Sequence, residues 1–347
     1  MIERWLHKIG NTLTHSLREQ QDRIEERIDE FRIKLGELAT MRENLEHNAI
    51  VMSRTLARLE KDLGNLRLAA AEPFIARAKK LEDGVPLADT EFSVFSQMGE
   101  DGILQYILSR IELPRKNFIE FGVENYKEAN TRLLLVHDGW SGLVMDCVQE
   151  YVDEIRGDEV CWRYGLDAVC SFVTKDTINE LLRECIPGKE IGLLSIDLDG
   201  NDYWIWKAID VVRPRVVICE YNSVFGAEHP ITIPYKEEFD RKKDHYSMLY
   251  FGASLPALCR LAEEKGYHFI GSNSAGVNAF FVRKDLSEPF EVLDAASGYV
   301  ESKICESRGE DGCLTFLSGT DRIRAIQDCE VIHLDHHQRV QIKDLLL

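Results

Sequence analysis

Apolar residues return every seventh position through the first part of the chain, at Leu17, Ile24, Phe31, Leu38, Leu45, Met52, Leu59 and Leu66. Four residues after each stand Ile28, Leu35, Ala49, Leu56, Leu63 and Ala70, with Gln21 and Arg42 as polar exceptions. Two interleaved rows of this kind are the seam of a left-handed coiled coil. A helix over residues 17 to 66 measures roughly 75 Å at about 1.5 Å per residue, too long to be covered by a domain of this size. Residues 1–70 are therefore expected to form a coiled-coil helix that makes a parallel homo-oligomer. The mixture of Ile, Leu, Ala, Gln and Arg in one row leaves the number of strands open. The competing reading is an amphipathic helix folded back on its own domain. Met1, Ile2, Trp5, Leu6, Ile9 and Leu13 make a further apolar face; with only Arg4 and Lys8 beside it, any membrane contact is peripheral.

A different pattern follows. Residues 71–91, with Pro73, Gly84 and Pro86, read as a linker, after which short apolar runs alternate with amphipathic stretches. Strands are expected at Asn117 to Phe121, Gly142 to Asp146, Glu159 to Tyr164, Gly192 to Asp197, Val216 to Tyr221, His268 to Ser272 and Ala279 to Arg283. Helices are expected near Asp101 to Ile111, Asn130 to His137, Thr177 to Cys185, Trp204 to Ile209 and Ser254 to Lys265. The alternation predicts an α/β fold, a parallel sheet covered by helices. Residues 92–290 form this domain, and 291–347 a C-terminal extension that packs on it. Ser254 is expected to cap its helix, and Thr177 with Glu180 to form a capping box. Trp204 and Trp206 fit the core, and His333, His336 and His337 a polar tail.

In such sheets ligands lie beyond the carboxyl ends of the strands, and here four strands end in acids. Glu120 and Gly122 follow the first, Asp146 closes the second, Asp197 and Asp199 the fourth, and Glu220 with Asn222 the fifth. A glycine allows close approach of backbone to ligand, and an acid after the second strand suits a ribose diol. These features suggest an adenosine-containing cofactor. Glu120, Glu124 and Glu128 would repel a pyrophosphate, and Gly122-Val123-Glu124-Asn125 is not a glycine-rich loop. A sulfonium cation would be attracted, which favours S-adenosylmethionine over NAD or ATP. Proton removal from an alcohol acceptor has Asp199, Glu220 and His245 as candidate bases. Asp197, Asp199, Glu220 and Asn222 supply oxygens for a divalent cation such as Mg2+. A calcium-hand reading of Asp197-x-Asp199-x-Asn201 fails, because Asp202 and Ala208 stand where glycine and glutamate are needed. The competing role for Asp202 is a helix cap.

Four ordered segments carry a resemblance: Phe95-Ser96-Gln97-Met98-Gly99-Glu100-Asp101-Gly102-Ile103, then Phe118 to Gly122 with Asn130-Thr131-Arg132, then Gly139-Trp140-Ser141-Gly142-Leu143, and Leu194 to Asp202. Across about residues 92 to 285 the chain resembles a subgroup of FkbM-type methyltransferases. The resemblance implies the Rossmann-like class I methyltransferase sheet with an antiparallel terminal hairpin. It also implies S-adenosylmethionine as cofactor, bound by Gln97, Glu120, Gly122, Asn130, Asp146 and Asp197. The activity implied is O-methylation of a saccharide hydroxyl, with relatives resembling products of bacterial surface-polysaccharide clusters and polysaccharide-assembly enzymes as possible partners. Glu124, Asn125 and Tyr126 depart from the usual first loop, which carries more glycines. The alternative is a non-catalytic coiled-coil scaffold with a degenerate methyltransferase domain.

Charge separates the two regimes. Residues 1–70 hold 12 basic and 12 acidic side chains, whereas the whole chain carries −18, so the acidity belongs to the second part. This charge argues against nucleic acid as a partner. Nine cysteines without a CxxC pair read as reduced thiols. With no run of 18 apolar residues and no secretory leader, the expected location is cytoplasmic, at most peripheral to the inner membrane.

Overall fold

The computed structural model describes residues 1–186 and 188–345. The chain divides into two compact units, Met1–Ala69 and Ala70–Leu347. In the first, the chain is one uninterrupted helix belonging to α1 (Ile2–Ala78), and the heptad residues Leu17 to Leu66 are all exposed. Helix extends through Pro73 instead of giving way to a linker at residue 71. Ala71, Ile75 and Ala78 are buried within the second unit. Among the described residues no helix is long and apolar enough to cross a membrane.

The second unit is built on β1 (Asn117–Phe121), β2 (Ser141–Asp146), β3 (Leu166–Cys170), β4 (Glu190–Ile196) and β5 (Arg213–Glu220), with β6 (Ile231–Thr232) apart from them. A hairpin of β7 (Tyr267–Ser272) and β8 (Asn278–Arg283) completes the main sheet. Its seven strands run β3-β2-β1-β4-β5-β8-β7, with β1 to β5 parallel and the hairpin antiparallel on β5. This is the Rossmann-like sheet with an antiparallel terminal hairpin expected of the class I methyltransferase fold. The remaining strands, β9 (Glu330–His333) and β10 (Gln338–Gln341), form a small antiparallel sheet with β6.

Side chains alternate between two apolar cores, as the period of a strand requires. On one face Phe118, Val144, Leu193 and Ile218 pack under α2 (Glu100–Leu108), α3 (Arg132–Val136), α4 (Gln149–Gly157) and α5 (Glu159–Arg163). On the other, Ile119, Phe121, Leu194 and Val217 meet α6 (Ile178–Cys185), α7 (Asp202–Ala208) and α9 (Leu255–Lys265), which follows the one-turn α8 (Arg241–Asp244). The remaining short helices, α10 (Ala295–Gly298) and α11 (Thr320–Ala325), lie in the C-terminal stretch.

Three further expectations change. Glu159 to Arg163 is helical and the third strand lies at Leu166–Cys170: Val160 is buried in the core, with Cys161 packed partly buried against it. Thr177 makes no cap bond into α6; its hydroxyl pairs with that of Thr174 at 2.8 Å. His333 is buried on β9 and stacked on His336, so this histidine belongs to the small sheet rather than to a polar tail.

Ser254 caps α9 as expected, accepting from the Ala257 N–H. Its hydroxyl also donates to the His229 carbonyl at 2.7 Å and accepts from the Ile231 N–H at 3.0 Å. One side chain thus fastens α9 to the small sheet. Ser254→Ala is expected to destabilise the chain by about 1–3 kcal/mol, the loss of a cap with two further buried bonds, read from the urea midpoint; an unchanged midpoint would show that the linkage contributes nothing.

Candidate functional site

A cleft of about 1060 Å³ opens at the carboxyl ends of β1, β2, β4 and β5. Gln97, Glu120, Gly122, Asn130, Asp146, Asp197, Asp199, Glu220 and Asn222 all line it. His245 does not; its Nδ1 pairs with the Ser247 hydroxyl at 2.7 Å, its ring stacks on Tyr246, and burial holds its pKa below the usual value. The structure therefore separates this histidine from the other candidate bases.

Strand alternation explains what Glu120 does. It shares a face with Phe118, the face covered by α3, and its carboxylate sits beneath the start of that helix. Asn130 N–H donates to Oε1 at 2.9 Å, and Thr131 donates to Oε2 from both its N–H, at 3.1 Å, and its hydroxyl, at 2.5 Å. Charge-assisted bonds of this kind stabilise the anion. Burial opposes them and pushes the pKa up to about 6. Glu120 thus acts on the protein's own backbone first, and Asn130 supports the arrangement by donating from Nδ2 to Ser195 at 3.1 Å.

Gly122 has φ +71, and a Cβ there would lie 1.7 Å from the Asp197 carbonyl oxygen. No other residue fits where β1 and β4 end side by side. Beyond it Glu124 and Tyr126 also adopt positive φ, 47° and 61°, so the loop has the left-handed path of a glycine-rich turn with only one glycine in those positions. Asp146 restrains that path, accepting from the Glu124 N–H at 2.8 Å through one oxygen and from Val148 N–H at 2.9 Å through the other. Gln97 closes the rim through Nε2 to Glu128 at 3.1 Å.

The acids after β4 and β5 sort into different roles. Asp199, at φ +52, is mostly exposed and pairs with Arg241 at 3.1 Å. Asp202 accepts from Leu198 N–H at 2.8 Å and Gly200 N–H at 3.0 Å, tying the β4–α7 loop to the helix it opens. Asn222 is consumed structurally: Nδ2 donates to the Leu249 and Phe251 carbonyls, and Oδ1 accepts from Val224 N–H at 3.0 Å. Of the expected metal set of Asp197, Asp199, Glu220 and Asn222, Asp197 and Glu220 are brought together, joined by Asp202: the three place one oxygen each within 4.8 Å of one another.

Glu220 Oε2 is buried without a hydrogen-bond partner. Burial first, and then the negative charge of Asp197, raises its pKa well above the usual carboxylate range. Asp197 is raised for the same reasons, burial and then Asp202, while burial brings Asp202 up to about 6. Arg241 was not legible as part of this group from the sequence, because it opens the one-turn α8 within a run of charged residues that reads as solvated surface.

No family model matches the chain, and no curated protein matches it. Among solved structures it is similar to an S-adenosylmethionine-dependent methyltransferase from Aquifex aeolicus, at 9% identity over 60% of this chain and 96% of that one, with a TM-score of 0.33. It is also similar to the N-terminal domain of EvdMO1, crystallised in the presence of SAH and D-fucose, at 14% identity over 61% and 94% with a TM-score of 0.34. An O-methyltransferase from Bacillus cereus in complex with SAH gives 14% identity, 46% and 68% coverage and a TM-score of 0.28. Likeness at this level does not extend to activity or substrate.

A carboxyl whose folded pKa is raised stabilises the fold below its unfolded pKa and loses that contribution as pH rises through the folded value. Glu220→Gln removes this liability. The variant is expected to melt higher than the parent at pH 8, with the difference shrinking as pH falls through the raised value toward the range where an ordinary glutamate titrates and no longer changing below it; a difference independent of pH would show that Glu220 carries no strained charge.

Proposed function

We propose that the second unit is an S-adenosylmethionine-dependent O-methyltransferase acting on a saccharide hydroxyl in the cytoplasm, in the assembly of a surface polysaccharide. The observation that carries the cofactor reading is the engagement of Glu120 with the Asn130 and Thr131 N–H groups that lead into α3. In dinucleotide-binding sheets the helix after the first strand offers its N–H groups to a pyrophosphate. Here a glutamate of the protein itself takes the Asn130 and Thr131 donors, so a phosphate has neither partners nor favourable charge. An adenosine carrying a sulfonium needs neither. The glycine turn at Gly122 lets it approach the backbone, and Asp146, whose two oxygens each accept one backbone bond, retains lone pairs for a ribose diol.

When bound, the cofactor supplies an electrophilic methyl group. The protein must orient the acceptor and take its proton. Glu220 is suited to proton removal, because it stands at the end of β5, in the cleft, with a free oxygen and a raised pKa that brings a carboxylate nearer the working range of a general base. Tyr151, Phe172, Phe239 and Phe251 line the same cleft, and aromatic faces of this kind pack against the apolar faces of sugars. A divalent cation is no part of the proposal, because Asn222 is engaged by backbone groups and Asp199 by Arg241.

Calorimetric titration of the full chain with S-adenosylhomocysteine tests the reading. Binding is expected, NAD is expected not to bind, and Asp146→Asn should weaken the product by about tenfold, the effect of one charge-assisted bond. Absence of heat with the parent protein at millimolar product would end it.

The exposed heptad row supports a second element, a parallel homo-oligomeric coiled coil over residues 1–70. Large hydrophobic side chains are exposed along the whole helix from Met1 to Leu66 in the single chain, an arrangement that a partner helix relieves. Leu38→Glu with Leu45→Glu is expected to convert an oligomer to monomer by light scattering of the full chain; a monomeric parent, or an oligomer that survives both changes, refutes it.

A further inference from the structure

One cation of the cleft has no role in the reaction described above. Arg322, on α11, lines the cleft and is only 7% exposed. Its Nη1 donates to the Ser302 carbonyl at 3.2 Å, whereas Nε has no partner. No carboxylate among the described residues forms an ion pair with it. The other charged side chains on this side of the cleft are largely engaged with one another. Glu306 pairs with Arg308 at 3.2 Å, Asp240 with Lys243 at 2.6 Å and Asp199 with Arg241 at 3.1 Å.

The guanidinium is fixed in place through the end of β5. Ser302, which receives its bond, donates from its N–H to the Ser223 hydroxyl at 3.0 Å, and Tyr299 donates to the Ser223 carbonyl at 2.7 Å. Ser223 stands three residues after Glu220. Arg322 therefore belongs to the β5 side of the cleft, where the proposed base lies, and not to the β1 and β2 ends that hold Glu120 and Asp146. A guanidinium stays charged in any environment. Burying one without a counterion is costly, and an unpaired guanidinium at the wall of a cavity matches a carboxylate or a phosphate.

We propose that Arg322 binds an oxyanion carried by the acceptor, so that the substrate is an acidic saccharide bearing a carboxylate or a phosphate. This inference rests on the methyltransferase reading for the identity of the acceptor, but the anion preference is measurable without it. The full chain is titrated with glucuronate, glucose 1-phosphate and glucose, in the presence and absence of S-adenosylhomocysteine. At least one anionic sugar is expected to bind about tenfold or more tightly than glucose, as one charge-assisted pair provides; the better of the two distinguishes carboxylate from phosphate. Arg322→Gln should erase the preference while leaving the melting temperature and the affinity for S-adenosylhomocysteine near those of the parent. Should that variant fail to fold, Arg322→Lys serves, keeping the charge but losing the fork and lowering the preference several-fold. Equal binding of all three sugars, no binding of either anion, or a preference that persists in a folded Arg322→Gln protein overturns the proposal. Loss of S-adenosylhomocysteine binding alone refutes methyl transfer and leaves the anion result standing.

Discussion

The cleft depends on a carboxylate turned inward. Glu120 lies on a strand whose neighbours Ile119 and Phe121 are wholly buried, so its charge would be prohibitive without compensation. Compensation comes from the Asn130 and Thr131 N–H groups, which immediately precede α3, and from the Thr131 hydroxyl. The exchange fixes two things together. It anchors the end of the β1–α3 loop, whose beginning is held by Asp146, and it sets a negative charge at the place where a sheet of this type offers donors to phosphates.

A second constraint is the crowding of Asp197, Asp202 and Glu220 within 4.8 Å. Asp202 is held by two backbone N–H groups and can stay ionised most readily. Glu220 has no such help, and its proton is retained to higher pH first because the carboxyl is buried and then because ionisation would place another negative charge beside Asp197. A site that must accept a proton from an alcohol benefits from such a group, since a base matched to the working pH transfers protons more effectively than one that is fully ionised far below it. The same crowding gives the β4 end a field that welcomes positive charge.

Sequence alone located most of this framework because its signals are local. Apolar runs marked the bounds of β1 and placed the other parallel strands and the hairpin to within a few residues, except for β3, where Val160 and Cys161 belong to a helix. Acids at strand ends pointed to the cleft, since the topology carries every such end to one edge. What stayed illegible depends on partners distant in the chain. The roles of Asn222 and Asp202 are decided by which backbone N–H and carbonyl groups they meet, not by their position after a strand. The two-residue β6 has no periodicity to read, and its sheet is completed by β9 and β10, far along the chain. Arg322 sits in a polar stretch where nothing local marks it as buried.

Net charge of −18 would by itself disfavour an acidic acceptor, yet this does not conflict with a buried guanidinium. Salt at physiological strength screens exposed charges beyond about 8 Å, so most of that negative charge acts weakly at the cleft. A cation removed from water interacts through a medium of lower effective dielectric and at contact distance, where one favourable pair outweighs many screened ones. The cleft is consequently polarised along the sheet, with acids clustered from the end of β2 to that of β5 and a buried cation beyond β5. On the proposed reading a positively charged donor would be held among the acids and a negatively charged acceptor at Arg322, on the same β5 side of the cleft as Glu220.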